Sequence, residues 1–128
     1  AASHSPTACD VRWGGAMRQS GIIAAACDYA LDHHVARLAE DHANARRLAE
    51  GIAAFDGLAI DPATVETNLV YFDVTAPALD AAALCRRLGE HGVRMGEMGP
   101  RTVRAVTHLD VSQSDVDAAL ALLRLVLA

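Results

Sequence analysis

Lysine is absent from this sequence of 128 residues, although eleven arginines are present. A reaction that requires a Schiff base on lysine therefore cannot take place within this chain alone. Aromatic residues make up only 4% of the sequence, whereas hydrophobic residues make up 52%, much of it alanine. This composition favours helices and thin packing layers over a thick aromatic core.

Long apolar runs and cysteine pairs are also missing. No stretch approaches the length of a membrane span, and the opening AASHSPTACD lacks the basic start and apolar run of a signal peptide. Cys9, Cys27 and Cys85 show no CxxC spacing, so we expect free thiols and a cytoplasmic location. The formal net charge of −5 argues against nucleic acid or a membrane as a partner.

The length predicts one domain. Residues 1–12 have no periodicity and are expected to form a flexible lead-in, with the domain at 13–128. Helical spacing predicts helices at 16–32, 34–54 and 79–90, and a last helix after Ser112, where Asp115 completes a capping box. Alternation predicts strands at 58–60, 67–74, 93–95 and 102–108. The order predicts an α+β, two-layer domain with a small, mostly antiparallel sheet and helices on one face.

The first predicted helix is long and apolar around most of its circumference. Ile22, Ile23, Tyr29 and Leu31 point in different directions, and Asp28 is the main polar break. A helix that is apolar all round is normally buried. We therefore expect this helix to dock against a partner outside the chain, and to drive self-association in the isolated chain.

Arg104 lies in the middle of the strand predicted at 102–108. The alternation places Thr102, Arg104, Val106 and His108 on one face of the strand, and Arg101, Val103, Ala105 and Thr107 on the other. From the strand alone, the ordinary interpretation is a partly exposed arginine that pairs with a local acid.

Four motifs carry a resemblance to a known family: GGAMRQSG at 14–21, RLAEDHANARRLAEG at 37–51, VETNLVYFDV at 65–74 and VRAVTHLDVS at 103–112. In order and spacing, from about residue 13 to residue 122, the chain resembles the C-terminal part of the threonine aldolases. These are pyridoxal-phosphate enzymes of the aspartate-aminotransferase-like fold, fold type I. They cleave a β-hydroxy-α-amino acid to glycine and an aldehyde, and the cofactor ring accepts the electrons of the broken bond.

The resemblance implies roles for two arginines. Arg104 matches the arginine that holds the α-carboxylate of the substrate, and a guanidinium suits that task because it binds a carboxylate in a bidentate manner. Arg18 matches an arginine that, in the family, lies near the cofactor phosphate and reaches across a subunit boundary. The alternative is an ordinary arginine at a helix start. Ala16 stands where the family has a third glycine. Relatives carry a lysine just upstream of these glycines, where this chain has Val11-Arg12-Trp13, and Arg12 could replace that lysine only if the backbone shifts.

Other polar residues carry weaker signals. His33 and His34 are adjacent on a helix and cannot jointly grip one metal ion without a third ligand, so no metal site is predicted. His42 is expected to be a half-buried, hydrogen-bonded histidine. No residue of this chain is predicted to be catalytic.

The resemblance implies that the lysine-bearing large domain, or another subunit, completes the enzyme. The isolated chain is then inactive, and pyridoxal phosphate is not covalently bound to it. A homo-oligomer is expected. Two alternatives stay open: a non-catalytic α+β module for amino-acid binding or dimerisation, and a truncated relic of an aldolase.

Overall fold

A computed structural model describes residues 19–127 of the chain. The described residues fall into two compact units, which divide between Arg37 and Leu38. No helix within residues 19–127 has both the length and the apolar character that crossing a bilayer requires.

The first unit contains helix α1, Ser20–His33. Its predicted start at residue 16 lies outside the described residues, and its end is one residue beyond the predicted one. No residue of α1 is buried, and the exposed fraction is 77% for Ile22 and 67% for Leu31. The helix therefore has the predicted apolar composition, and its apolar side chains are exposed in the described chain.

The second unit holds a sheet and three further helices within its described residues. The helices are α2, Leu38–Ala53, α3, Ala81–Glu90, and α4, Gln113–Leu127, with a short 3-10 helix at Pro62–Thr64. The strands are β1, Leu58–Ala59, β2, Leu69–Val74, β3, Gly96–Glu97, and β4, Thr102–Val106. They pair in the order β1-β2-β4-β3, and each pairing is antiparallel. The predicted α+β class with a small antiparallel sheet is confirmed.

The sheet has one covered face and one open face. Along β2, Val70, Phe72 and Val74 are buried, and along β4 Val103 and Ala105 are buried with them. The same core contains buried side chains of all three helices, including Leu48, Ile52, Leu84, Leu88, Val116 and Leu123. The intervening residues of β2 remain exposed. Period-two alternation therefore separates a core face from an open face, as the sequence predicts for both strands.

Helix ends and strand ends are fastened by specific polar contacts. The carboxylate of Asp80 accepts a hydrogen bond of 2.7 Å from the amide of Ala83 and caps α3. Gly92, with a φ of 86°, ends the same helix as the sequence predicts. The hydroxyl of Thr107 donates a 2.7 Å hydrogen bond to the carbonyl oxygen of Asp41, which ties the chain after β4 to α2.

The strand predicted at 93–95 is wrong. The amide of Val93 still donates to the carbonyl of Leu88, 3.1 Å away, so this part of the chain completes the helix end. Pairing with β4 begins only at Gly96. Two helix starts also move: residues 34–37 form a turn before α2, and α3 begins after its cap at Asp80 rather than at residue 79. The strand predicted at 67–74 begins at Leu69, and the one predicted at 102–108 ends at Val106.

The prediction that His42 is half-buried is also wrong. His42 is exposed, and its neighbour Asp41 is the buried residue, with a relative exposure of 4%.

Candidate functional site

Arg104 stands on the open face of the sheet. Its neighbours in β4, Val103 and Ala105, point into the core, so the alternation directs Arg104 to the opposite side. In the register of β2 and β4, Tyr71 lies directly opposite Arg104. Tyr71 is 47% exposed, and the pair forms the middle of this face.

The guanidinium of Arg104 has no hydrogen-bond or ion-pair partner within residues 19–127. Its Nε atom is buried from solvent and makes no hydrogen bond. A buried donor left unsatisfied costs about 1–3 kcal/mol, so such a group is usually explained by an absent partner or ligand. The interpretation of Arg104 as a strand arginine paired with a local acid is therefore not supported.

The acidic residue nearest to Arg104 in the strand register is bonded to another side chain. Asp73 is paired with Thr102, one step along the face from the Tyr71–Arg104 pair. The hydroxyl of Thr102 donates a 2.7 Å hydrogen bond to the carboxylate of Asp73. The carboxylate of Asp73 is thus bonded to Thr102 rather than to the guanidinium of Arg104.

On its other side, Arg104 faces Gly96 of β3. A Cβ atom built on Gly96 would lie 3.7 Å from Nη2 and 3.8 Å from Nε of Arg104. The guanidinium therefore extends over the glycine of the neighbouring strand. A planar cation held on a sheet in this manner can bind a carboxylate through its outer nitrogens.

The other residues singled out from the sequence do not join this site. Arg18 lies outside the described residues. The Nδ1–H of His33 donates a 2.9 Å hydrogen bond to the carbonyl of Tyr29, and the ring of His33 stacks on the ring of that tyrosine, within α1. Within residues 19–127 no three His, Cys, Asp or Glu side chains lie close enough together to hold a metal ion. His108 is 3.7 Å from the carboxylate of Asp110.

A hollow of about 320 Å³ lies on the opposite side of β4 from Arg104. Its walls include Leu48, Ala105 and Val116, which belong to the core side of the sheet, with Arg94 among the other lining residues. Arg104 does not line it. The candidate carboxylate site is therefore an open patch on the sheet and not a closed pocket of the second unit.

Comparison with known proteins decides the family. Residues 7–75, more than half of the chain, match the family model described as beta-eliminating lyase. The chain belongs to the beta-eliminating lyase family. Membership assigns the domain to pyridoxal-phosphate fold type I and implies that cofactor for a complete enzyme of the family.

Threonine aldolases are among the proteins that this chain is similar to. The chain is 39% identical over 108 residues to "Probable low-specificity L-threonine aldolase 2" of Arabidopsis thaliana, covering 84% of this chain and 30% of that protein. It is 41% identical over 110 residues to "Low specificity L-threonine aldolase" of Escherichia coli strain K12, covering 83% and 31%. The predicted resemblance is confirmed, and the chain spans about three-tenths of the length of these relatives.

Sequence reasoning missed Gly96 as a neighbour of Arg104. The sequence predicts this strand at 93–95, which leaves Gly96 outside the sheet. A glycine inside a strand signals close approach by a ligand or another group. Once β3 is placed at 96–97, that signal falls directly beside the guanidinium.

Proposed function

We propose that this chain is the substrate-carboxylate-binding part of a threonine aldolase-like lyase. The complete enzyme cleaves a β-hydroxy-α-amino acid, such as threonine or allo-threonine, to glycine and an aldehyde. The observation that carries the proposal is the guanidinium of Arg104, half-buried at the centre of the open sheet face, with its Nε atom buried and unbonded in the described chain. Its position within the VRAVTHLDVS motif supports the same role.

Arg104 would fix how the substrate presents its reacting carbon. Two parallel hydrogen bonds from one guanidinium set both the position and the plane of a carboxylate. The strand makes a rigid mount, because β4 is paired with β2 on one side and β3 on the other. Alignment of the scissile bond depends on such a mount.

The described residues fit the carboxylate of the substrate and do not fit a covalent site for the cofactor. The chain has no lysine, so it offers no side-chain amine to hold pyridoxal phosphate. When bound in the complete enzyme, the cofactor supplies the electron sink for the reaction. The isolated chain is therefore proposed to be inactive, and a large cofactor-binding domain or another subunit must supply the lysine.

The proposal extends to Arg18, to assembly and to location. Arg18 is proposed to lie near the cofactor phosphate, across a subunit interface. The exposed apolar surface of α1 supports docking to a large domain or to a second copy, in a homo-oligomer. Cys27 and Cys85 are free, which agrees with the proposed cytoplasmic setting.

A hybrid enzyme tests the role of Arg104. The matched 110 residues of the Escherichia coli relative are replaced by those of this chain, and glycine release from threonine is measured with added pyridoxal phosphate. We expect an active hybrid. Arg104→Ala should lower kcat/KM about a hundredfold or more, because two charge-assisted hydrogen bonds to the carboxylate are lost. Arg104→Lys should retain only part of the wild-type kcat/KM, because an ammonium cannot bind a carboxylate in a bidentate manner.

Arg86→Ala is the matched control, because Arg86 is an exposed arginine of α3 on the helical layer. It should leave kcat/KM unchanged within about twofold. Equal activity of the Arg104→Ala and Arg86→Ala hybrids would contradict the proposed role of Arg104.

The isolated chain provides the second test. Purified chain with threonine and pyridoxal phosphate should release no glycine, and release by a preparation free of host aldolase would contradict the proposed need for an outside lysine. Titration of the isolated chain with glycine distinguishes the lyase fragment from a non-catalytic binding module. Saturable binding that Arg104→Ala abolishes, together with an inactive hybrid, would favour the binding module.

A further inference from the structure

Gly96 has no conformational reason to be glycine. Within the described residues, the glycines with positive φ are Gly57 and Gly92, so the backbone of Gly96 has a φ that other residues adopt. Glycine weakens a strand, because it loses more backbone freedom on folding and offers no side chain to pack. The choice of glycine at this position in β3 therefore needs another cause.

The side chain of Arg104 occupies the space above Gly96. The two residues are direct partners in the β3–β4 register, and a Cβ at position 96 would point to the same side of the sheet as Arg104. That Cβ would stand 3.7 Å from Nη2, 3.8 Å from Nε and 3.7 Å from the carbonyl oxygen of Arg104. These are ordinary van der Waals distances, so the guanidinium already fills the space just beyond a methyl group.

Nothing else within residues 19–127 holds the guanidinium by a hydrogen bond. The Nε atom is buried and unbonded, so the orientation of Arg104 depends on packing. A side chain longer than alanine at position 96 would add atoms one bond length further out, where the guanidinium now lies. Such a side chain would push the guanidinium off the sheet and expose Nε to water.

We propose that Gly96 is a positioning residue, whose missing side chain forms the seat that orients the Arg104 guanidinium toward the substrate carboxylate. The functional half of this inference rests on the proposed function of Arg104, and the geometric half does not. The seat packs Nη2 and Nε over Gly96 and so gives the guanidinium one orientation in which to meet the ligand. Gly96 itself touches neither substrate nor cofactor.

Three forms of the full chain test the seat by nuclear magnetic resonance: wild type, Gly96→Ala and Gly96→Val. In wild type and Gly96→Ala, the Nε–H of Arg104 should exchange slowly with water, and the wild type should show a cross-relaxation contact between that proton and the Hα atoms of Gly96. In Gly96→Val, exchange should be about tenfold faster or more, because the guanidinium leaves the seat. Valine favours strands, so thermal unfolding of this variant should not occur at a lower temperature.

Specific results would overturn the proposed seat at Gly96. Slow Nε–H exchange in Gly96→Val, or fast exchange in Gly96→Ala, would show that space at position 96 does not orient the guanidinium. If Gly96→Val does not fold, the wild-type spectrum still decides, because the absence of the Gly96–Arg104 contact would overturn the seat.

The hybrid enzyme tests the functional half. Gly96→Val should raise KM for threonine about tenfold with kcat nearly unchanged, whereas Gly96→Ala should alter neither by more than about threefold. An unchanged KM in Gly96→Val, in a hybrid that Arg104→Ala inactivates, would overturn the positioning role of Gly96 alone. An Arg104→Ala hybrid of full activity would instead overturn the proposed function and leave the geometric result standing.

Discussion

The guanidinium of Arg47 forms two parallel hydrogen bonds with the carboxylate of Asp117, of 2.6 Å from Nε and 3.0 Å from Nη2, and joins α2 to α4. Both side chains are 47% exposed. This bidentate pair crosses the helical layer of the second unit at a sequence separation of 70 residues. It therefore acts between two helices that the sequence alone does not place side by side.

The first prediction concerns acid stability. The hydrogen bonds from Arg47 lower the pKa of the Asp117 carboxyl below its usual value, so folding favours the ionised form. The resulting stability is present above the ordinary pKa of an aspartate and is lost as the pH falls through the depressed pKa of Asp117. The midpoint of thermal unfolding, followed from about pH 7 to about pH 2, should fall less steeply in Asp117→Asn than in wild type.

Arg47→Gln is the companion variant in this experiment. It should flatten the acid limb as Asp117→Asn does, and the double variant should add little to either one. A residual slope is expected, because the Ser112 hydroxyl lowers the pKa of the Asp115 carboxyl in the same range. Identical acid profiles for wild type and both single variants would contradict the pair.

The second prediction concerns the start of α4. The amide of Asp115 donates a 3.2 Å hydrogen bond to the Ser112 hydroxyl, and the Ser112 amide donates a 2.9 Å hydrogen bond to the Asp115 carboxylate. This is the reciprocal capping box that the sequence predicts. Ser112→Ala should lower the free energy of unfolding by about 1 kcal/mol in urea titration. Gln113→Ala, in the first turn but outside the box, should change it by less than about 0.5 kcal/mol.

The third prediction tests the two faces of β2. Phe72 is buried with a relative exposure of 2%, whereas Leu69 on the open face is 41% exposed. Phe72→Ala should cost about 3–5 kcal/mol of unfolding free energy, because it removes packing and leaves a cavity in the core. Leu69→Ala should cost less than about 1 kcal/mol. Similar losses in the two variants, measured by urea unfolding, would mean that the open face is covered.

The two central strands could be predicted because their signal is local. Alternation along β2 and β4 requires only that side chains point to opposite faces in turn, so the placement of Phe72 and Arg104 on different faces follows from the sequence. The helix ends at Asp80 and Gly92 depend on equally local chemistry, a capping side chain and a positive φ. These features do not depend on contacts with distant parts of the chain.

Strand β3 could not be predicted, because its position depends on a distant partner. Val93 and Met95 resemble strand residues, but pairing with Arg104 and Val103 selects Gly96 and Glu97 instead. The contact between Gly96 and Arg104 is a consequence of that register and is not visible in either segment alone. For the same reason, the apolar composition of α1 predicts that a partner covers this helix without identifying that partner.

The fourth prediction concerns Arg101, which the alternation places with the core-facing residues of β4. Its Nη1 atom instead donates to three carbonyl oxygens, those of Val74 at 3.2 Å, Ala76 at 2.8 Å and Leu79 at 2.7 Å. These contacts fasten the connection between β2 and α3. Arg101→Gln should lower the unfolding free energy by about 1–3 kcal/mol, because carbonyl groups lose a charged donor.

Limited proteolysis provides the specific readout for Arg101. Cleavage within residues 75–80 should become faster in Arg101→Gln, since that connection is released. Arg86→Gln, an exposed arginine of α3, is the control and should change neither cleavage nor stability. Equal cleavage rates in the two variants would contradict the fastening role of Arg101.

The last prediction concerns self-association through α1. Leu31 of α1 and Leu125 of α4 have the same exposed fraction, 67%, but Leu31 lies on a helix without a buried residue. We expect the wild-type chain to sediment as a dimer or larger species at micromolar concentration, because burying the apolar surface of α1 between copies removes it from water. Leu31→Asp should shift the chain toward monomer, whereas Leu125→Asp should not. A monomeric wild-type chain, or an equal shift in both variants, would contradict association through α1.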